Sequence, residues 1–192
     1  MNRLFSKLFN IKEYYVYKLP LDWHFSLSNF IKENRFQYVK INPAIINTFF
    51  LKDKYLNKTF HKFLNKKYIG YILLDESEWI NYIWCATPNT PPPLHLTKLK
   101  KMENLYWIFF CRTNEVYQNK GFYSKCLQLF CNELLKSFNT SPESIYIDAG
   151  SSSISANKAM INSGFIRNGE IKIIRLFIPP LINIKLVNWK TE

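Results

Sequence analysis

Apolar positions along the chain follow two different periods, and the switches between them mark the elements. Leu105–Cys111, LYWIFFC, is an unbroken run of apolar and aromatic residues and predicts a buried strand. Phe122, Cys126, Leu127, Phe130, Leu134 and Phe138 then recur at helical spacing, which predicts a helix over Phe122–Phe138. Upstream, Tyr14–Leu19 reads as a first strand closed by Pro20. A helix is expected around Ser26–Glu33, and a short extended piece over Tyr38–Ile41. Pro43–Lys66 reads as one helix, with Lys54, Lys58, Lys62 and Lys66 opposite Leu56, Phe60, Phe63 and Leu64. Lys67–Leu74 and Trp79–Ala86 read as a hairpin across the acidic turn Asp75–Glu78. Thr87–Lys101 holds three consecutive prolines and must be a loop, either a wall of a substrate site or a surface excursion. Ser144–Ala149 is a strand, Ser151–Ser153 a helix cap, and Ile154–Ser163 a short helix ending at Gly164. Ile171–Ile178 and Leu181–Trp189 close the chain as two strands across Pro179-Pro180. The order predicts an α/β fold over residues 1–192 as a single domain: a mixed, twisted sheet of six to seven strands with helices on both faces.

Between the central strand and its helix lies Val116-Tyr117-Gln118-Asn119-Lys120-Gly121. Gly121 tolerates backbone angles closed to other residues, and it lets another molecule approach the main chain. A loop running straight into a helix aims several unpaired N–H groups at one point, backed by the helix dipole. That arrangement suits a phosphate or diphosphate. Neither the nucleoside-triphosphate loop, Gly-x-x-x-x-Gly-Lys-Ser/Thr, nor the dinucleotide fingerprint, Gly-x-Gly-x-x-Gly, is present.

Composition changes this picture only at the margins. With 47% hydrophobic and 17% aromatic residues the chain is a folded one. Lys+Arg 26 against Asp+Glu 14 gives +12, which favours anionic partners: coenzyme A, acidic substrates, nucleic acid or an anionic membrane surface. The lysines are scattered, and no arginine-rich or aromatic RNA-reading signature accompanies them. The basic helix over Pro43–Lys66 suits a membrane surface or an acidic partner, but a helix packed on a sheet with its lysines in water is the simpler account. Cys85, Cys111, Cys126 and Cys131 form no Cys-x-x-Cys pair, and His24, His61 and His95 are isolated, so no metal site is expected. Reduced thiols and the poor match of Met1–Lys12 to a signal peptide lead to a cytoplasmic expectation.

Gln118-x-x-Gly121-x-Tyr123, after a strand and opening an amphipathic helix, resembles the coenzyme A loop of the GNAT superfamily of N-acetyltransferases, where a small residue usually stands at the place of Tyr123. Ser153–Phe165, SISANKAMINSGF, resembles a second motif of that family: Ala156 and Gly164-Phe165 match, while Ser153 replaces an Asn that helps to hold the pantetheine arm. The resemblance spans about the last two-thirds of the chain. It implies acetyl-CoA as acyl donor and a small-molecule or peptide amine as acceptor, joined by direct attack. It also implies that Leu105–Cys111 and Ser144–Ala149 are neighbouring parallel strands that splay to admit the pantetheine arm. The acyl carbonyl would then face N–H groups near Phe110 and Cys111. The Glu that many members carry on the central strand falls on Trp107, and the Tyr that often protonates the thiolate falls on Met160. Both familiar acid–base positions are therefore apolar.

The expected coenzyme contacts are Cys111, Val116, Gln118, Asn119, Lys120, Gly121, Phe122, Tyr123, Lys125 and Ser153. Candidates for acid–base work are Glu115, Asp148, Glu76 and Tyr123, with Glu78 and Tyr71 behind them. Each has a plainer role open to it. Glu115 can cap a turn, Asp148 can cap the following helix, and Glu76 and Glu78 can sit in a solvated hairpin turn. The alternatives to turnover are a catalytically silent coenzyme-binding module and a basic nucleic-acid or membrane-surface binding protein on the same scaffold.

Overall fold

The computed structural model describes residues 9–25, 36–76, 78–97, 99, 104–178 and 182–191. Eight strands form one sheet: β1 (Phe9–Lys18), β2 (Gln37–Lys40), β3 (Ile69–Asp75), β4 (Glu78–Ala86), β5 (Tyr106–Thr113), β6 (Ile145–Gly150), β7 (Ile166–Ile178) and β8 (Ile182–Lys190). Their order across the sheet is β2-β3-β4-β5-β6-β1-β7-β8. Only β5 and β6 run parallel; the other neighbours are antiparallel. The count is eight rather than six to seven because the short piece near Tyr38 pairs fully with β3, from Gln37 opposite Leu74 to Lys40 opposite Tyr71. Four residues carry too little pattern to announce a strand by themselves.

Two helices cover one face of the sheet. The stretch expected as a single helix breaks in two: α1 (Pro43–Phe50) and α2 (Lys54–Asn65). Each has its own cap, Asn42 Oδ1 accepting from the Ile45 amide at 3.0 Å and Asp53 Oδ1 from the Leu56 amide at 2.9 Å. Asp53, one residue before the lysine repeat begins, starts a new helix rather than continuing the old one. Leu56 and Phe60 of α2 are buried against the sheet while Lys54, Lys58 and Lys62 face water, so its amphipathic pattern is used for packing.

The other two helices cover the opposite face. α3 spans Phe122–Phe138, and α4 spans Ile154–Asn162. The α3 stripe Cys126, Leu127, Phe130, Cys131 and Leu134 packs on Leu73, Ile80, Ile83, Cys85 and Ile108 of the sheet. Ser163 Oγ donates to the Ser124 carbonyl and Ser124 Oγ to that of Ala159, which ties α4 to the first turn of α3. Cys85, Cys126 and Cys131 are buried and all four cysteines are free thiols.

The helix anticipated near Ser26–Glu33 lies outside the described residues. Among the described residues no helix is long and apolar enough to cross a membrane. β7 begins at Ile166, five positions before the expected start, because Gly169 (φ +127) lets the strand bulge where it passes Val16 and Tyr17 of β1.

Candidate functional site

β5 and β6 share only three pairs, Tyr106–Ile145, Trp107–Tyr146 and Ile108–Ile147. Beyond them β5 continues with β4 alone and β6 with β1 alone. The sheet therefore opens into a gap whose apex lies at Phe109 and Asp148. The next residue of β5, Phe110, has φ +51, in the left-handed region that an aromatic side chain rarely enters. The register with β4 slips here, from Tyr82 opposite Arg112 to Trp84 opposite Phe109. Phe110 is thus the crest of a bulge, and it breaks the ladder so that main-chain groups face the gap. Its ring is pinned from the α2 face by Tyr82 (6.0 Å between centroids), Phe60 (6.2 Å) and Phe63 (5.2 Å).

Past β5 the chain is anchored before it turns. Asn81 Nδ2 donates to Thr113 Oγ1 at 2.9 Å, and Asn114 Nδ2 donates to the Trp79 carbonyl at 3.0 Å. A single turn at Glu115–Tyr117 follows, then Asn119 at φ +60 and Gly121 at φ +78 lead into α3. With the left-handed Gly121 at its N-cap and no side-chain cap, the first N–H groups of α3 lack helical partners, and such groups suit an anion. A Cβ added at Gly121 would meet nothing within 4 Å, so the main chain here is bare to an incoming molecule.

A cleft of about 530 Å³ opens between this loop and α4. Cys111, Gln118, Asn119, Gly121, Phe122 and Tyr123 line it, together with Arg112, Tyr117 and, from α4, Ser155, Ala156, Lys158 and Ala159. The remaining expected contacts stand apart from it. Val116 is exposed, Lys120 lies over the Tyr117 ring at 5.6 Å, and Lys125 is an exposed residue of the first α3 turn. Ser153 occupies the N-cap of α4 without a side-chain capping bond. The polar work at that corner falls to Asn157, whose Nδ2 donates to the Gly150 and Ser151 carbonyls and whose Oδ1 accepts from Tyr17. Gln118 turns its Nε2 back to the Thr113 carbonyl at 3.2 Å, bracing the loop.

Tyr123 and Cys111 meet within the cleft. Burial, reinforced by the neighbouring Cys111, holds the Tyr123 phenol well above its ordinary value. Burial pushes the Cys111 thiol up to about 12. Both groups stay protonated at neutral pH. A second, smaller cleft of about 300 Å³ lies on the other side of the bulge, between β5 and the start of α2. Asp53, Tyr55, Leu56, Tyr82 and Phe110 line it, and it shares Cys111 and Arg112 with the first.

The acidic candidates divide. Glu115 is exposed and pairs with Arg112 at 3.0 Å. Glu76 stands exposed at the β3–β4 turn with φ +45, and Glu78 opens β4. This hairpin end leans on the loop before α3, where Tyr117 donates to Asp75 Oδ2 at 3.1 Å. Tyr71 is half-buried and packs its ring against Phe130 and Tyr38, away from both clefts. Asp148 does not cap the next helix. It accepts from Trp107 Nε1 and lies 3.1 Å from His95 Nε2. His95 is therefore not isolated, as its place in the sequence suggested. Among the described residues no group of three or more His, Cys, Asp or Glu could hold a metal ion.

No protein-family model matches the chain. No curated protein matches it. Solved structures do match in fold. An acetyltransferase from the GNAT family of Colwellia psychrerythraea superposes with a TM-score of 0.58 at 10% identity, over 86% of this chain and 55% of its own. A GCN5-related N-acetyltransferase-like protein from Streptococcus suis gives 0.51 at 12%, over 91% and 65%. A functionally unknown conserved protein from Staphylococcus epidermidis gives 0.58 at 11%, over 92% and 66%. The chain thus spans between 55% and 66% of the length of these structures. The fold is GNAT-like.

Proposed function

We propose that this protein is an N-acyltransferase that moves the acetyl group of acetyl-CoA to a primary amine of a small molecule or peptide. The observation that carries this reading is the conjunction at one point of three features: the β5–β6 gap, the Phe110 bulge, and the Gly121 loop opening α3. The bare main chain at Gly121 fits the coenzyme, because a diphosphate needs close approach to N–H groups there. In this reading Gln118–Tyr123 hold the diphosphate, and Lys158 and Arg112 supply positive charge along the cleft. The small side chains Ser155, Ala156 and Ala159 leave room for the pantetheine arm.

Bound there, the coenzyme supplies an acyl group already activated as a thioester. The chain has to supply position, oxyanion stabilisation and proton transfer. Main-chain N–H groups beside the bulge are suited to the acyl oxygen, since a bulge leaves ladder donors unused. The Tyr123 phenol stays protonated at neutral pH and gives the departing thiolate its proton. The second cleft offers the amine a route from the α2 side, because it shares Cys111 and Arg112 with the first.

One observation favours a second reading, a coenzyme-binding module without turnover. Trp107 and Met160, at the positions where acid–base residues would be expected, are both buried in the hydrophobic core. Two measurements separate the readings. Calorimetric titration with acetyl-CoA is expected to show saturable binding, and absence of heat would remove both. Release of free thiol on mixing with acetyl-CoA and a panel of primary amines is expected for the enzyme and not for the silent module.

A further inference from the structure

The Pro-rich connection between β4 and β5 is seated on the sheet. Pro93 and Leu96 are buried, and Tyr68 donates its hydroxyl to the Pro92 carbonyl. The single turn Leu94–Leu96 between them delivers His95 to β6. His95 Nε2 lies 3.1 Å from each carboxylate oxygen of Asp148, and Trp107 Nε1 donates to Oδ1. The Asp148 side chain is 5% exposed and that of His95 26%. A carboxylate flanked in this way can only accept, so Nε2 of His95 is the donor to it, and a neutral ring in this pose carries its lone pair on Nδ1. Among the described residues nothing bonds Nδ1, and the ring keeps an open side. An imidazole held by a carboxylate at one nitrogen and vacant at the other is an oriented proton acceptor.

Its position matters as much as its pairing. Asp148 is the first residue of β6 past the last pair shared with β5, so the dyad stands at the apex of the gap, on the face opposite α3. Burial is the main reason that Cys111 of β5 and Tyr123 of α3, on the α3 face, are raised, and Asp148 is the smallest contributor to both. On its own face it acts on Tyr14 of β1, whose ring lies 5.6 Å from that of His95 and which also feels Arg175 of β7. A carboxylate and an aromatic face side by side attract a cationic amine.

We infer that His95 is a catalytic base, taking the proton from the acceptor's ammonium group, and that Asp148 is the residue positioning it; this rests on the acyl-transfer reading. Nδ1 takes one proton from R–NH₃⁺, and the resulting imidazolium is balanced by Asp148. The neutral amine forms the C–N bond to the thioester carbon, and the C–S bond breaks with its electron pair on sulfur. Tyr123 protonates the sulfur and is itself refilled by the second proton lost from nitrogen. Free thiol, amide and the proton on His95, later lost to water, complete the balance.

The test compares wild type, His95→Gln and Asp148→Asn, using acetyl-CoA and the best amine of the panel. His95→Gln is expected to bind acetyl-CoA as wild type does and to lose about a hundredfold or more in kcat/KM. The low-pH limb of its kcat/KM profile should vanish. Asp148→Asn should lose less and keep the limb. Independently of turnover, a ¹⁵N spectrum should show His95 as the Nε2–H tautomer, assigned by the signals missing in His95→Gln, with that preference weakened in Asp148→Asn. An Nδ1–H tautomer in wild type sinks the proposal. So does an unchanged pH profile in His95→Gln, which leaves the acyl-transfer reading standing. A wild type that binds the coenzyme but releases no thiol with any amine overturns both.

Discussion

The two faces of the sheet are packed by different means. On the α3 face the buried contacts are mostly aliphatic or thiol: Leu73, Ile80, Ile83, Cys85, Leu127, Cys131 and Leu134. On the α2 face aliphatic residues such as Ile46, Leu56, Ile72 and Leu74 surround a connected cluster of buried and half-buried rings. Phe50, Phe60, Phe63, Tyr82, Trp84, Phe109 and Phe110 lie edge-on or stacked on one another at centroid distances between 4.8 Å and 6.5 Å. Aromatic pairs have preferred angles as well as preferred distances, so such a cluster fixes orientation. The left-handed Phe110 sits in that cluster. The strained bulge is held from behind by rigid packing, while the cleft it faces is bordered by a loop and small α4 side chains. Backbone strain of this kind persists only where its surroundings over-determine it.

Breaking the aromatic face should have the largest effect. Phe60→Ala removes a fully buried ring that touches five others. Loss of about 3–5 kcal/mol of stability is expected in urea unfolding. A loss under 1 kcal/mol would show that the cluster does not hold the sheet. Next comes Gly121→Asp, which alters the open face without touching the core. Acetyl-CoA affinity should fall about a hundredfold, near 2.7 kcal/mol, while stability drops only by the ~1–2 kcal/mol strain of a side chain at positive φ. Wild-type affinity in that variant would remove the loop assignment.

Cys131→Ala on the aliphatic face is milder still. It should cost about 1 kcal/mol, since only one polarisable atom leaves a buried site. A loss matching that of Phe60→Ala would erase the contrast between faces. The smallest and most local effect is chemical. Burial holds the Cys111 thiol at about 12, so the reactive thiolate is scarce at neutral pH. Alkylation of Cys111 by iodoacetamide should be slow at pH 7 and rise about tenfold per pH unit up to pH 10 without levelling. A plateau near pH 9 would mean an ordinary, exposed thiol.

What the sequence disclosed follows from how local each signal is. The α3 helix has the same bounds in both readings, Phe122–Phe138, because its apolar stripe and the glycine before it are neighbours in the chain. The hairpin of β3 and β4, the alternation of strands and helices, and the separation of β5 from β6 were legible for the same reason or through the motif resemblance. The break at Asp53 was hidden because helix-compatible residues flank it on both sides, Pro43–Leu51 before it and Lys54–Lys66 after it. The bulge at Phe110 was hidden more deeply, because a phenylalanine within an apolar run carries no mark of a left-handed backbone. His95 and Asp148 are 53 positions apart and meet only because a proline-rich connection is pinned to the sheet. That pairing is a property of tertiary structure, and nothing in the local spacing announces it. The three prolines marked the connection as a loop, either a wall of a substrate site or a surface excursion, and gave no sign that it would be seated on the sheet through the buried Pro93 and Leu96.

β1 has a consequence for how the molecule is assembled. It lies between β6 and β7, paired with β7 along its length and with β6 over Tyr14–Lys18, yet it precedes every other described strand in the chain. During synthesis this segment leaves the ribosome with neither neighbour in existence. Roughly a hundred and thirty residues must follow before its first partner is made. Until then its backbone donors and acceptors stay wet, and the seam that joins the two halves of the sheet can close only once β6 has been made.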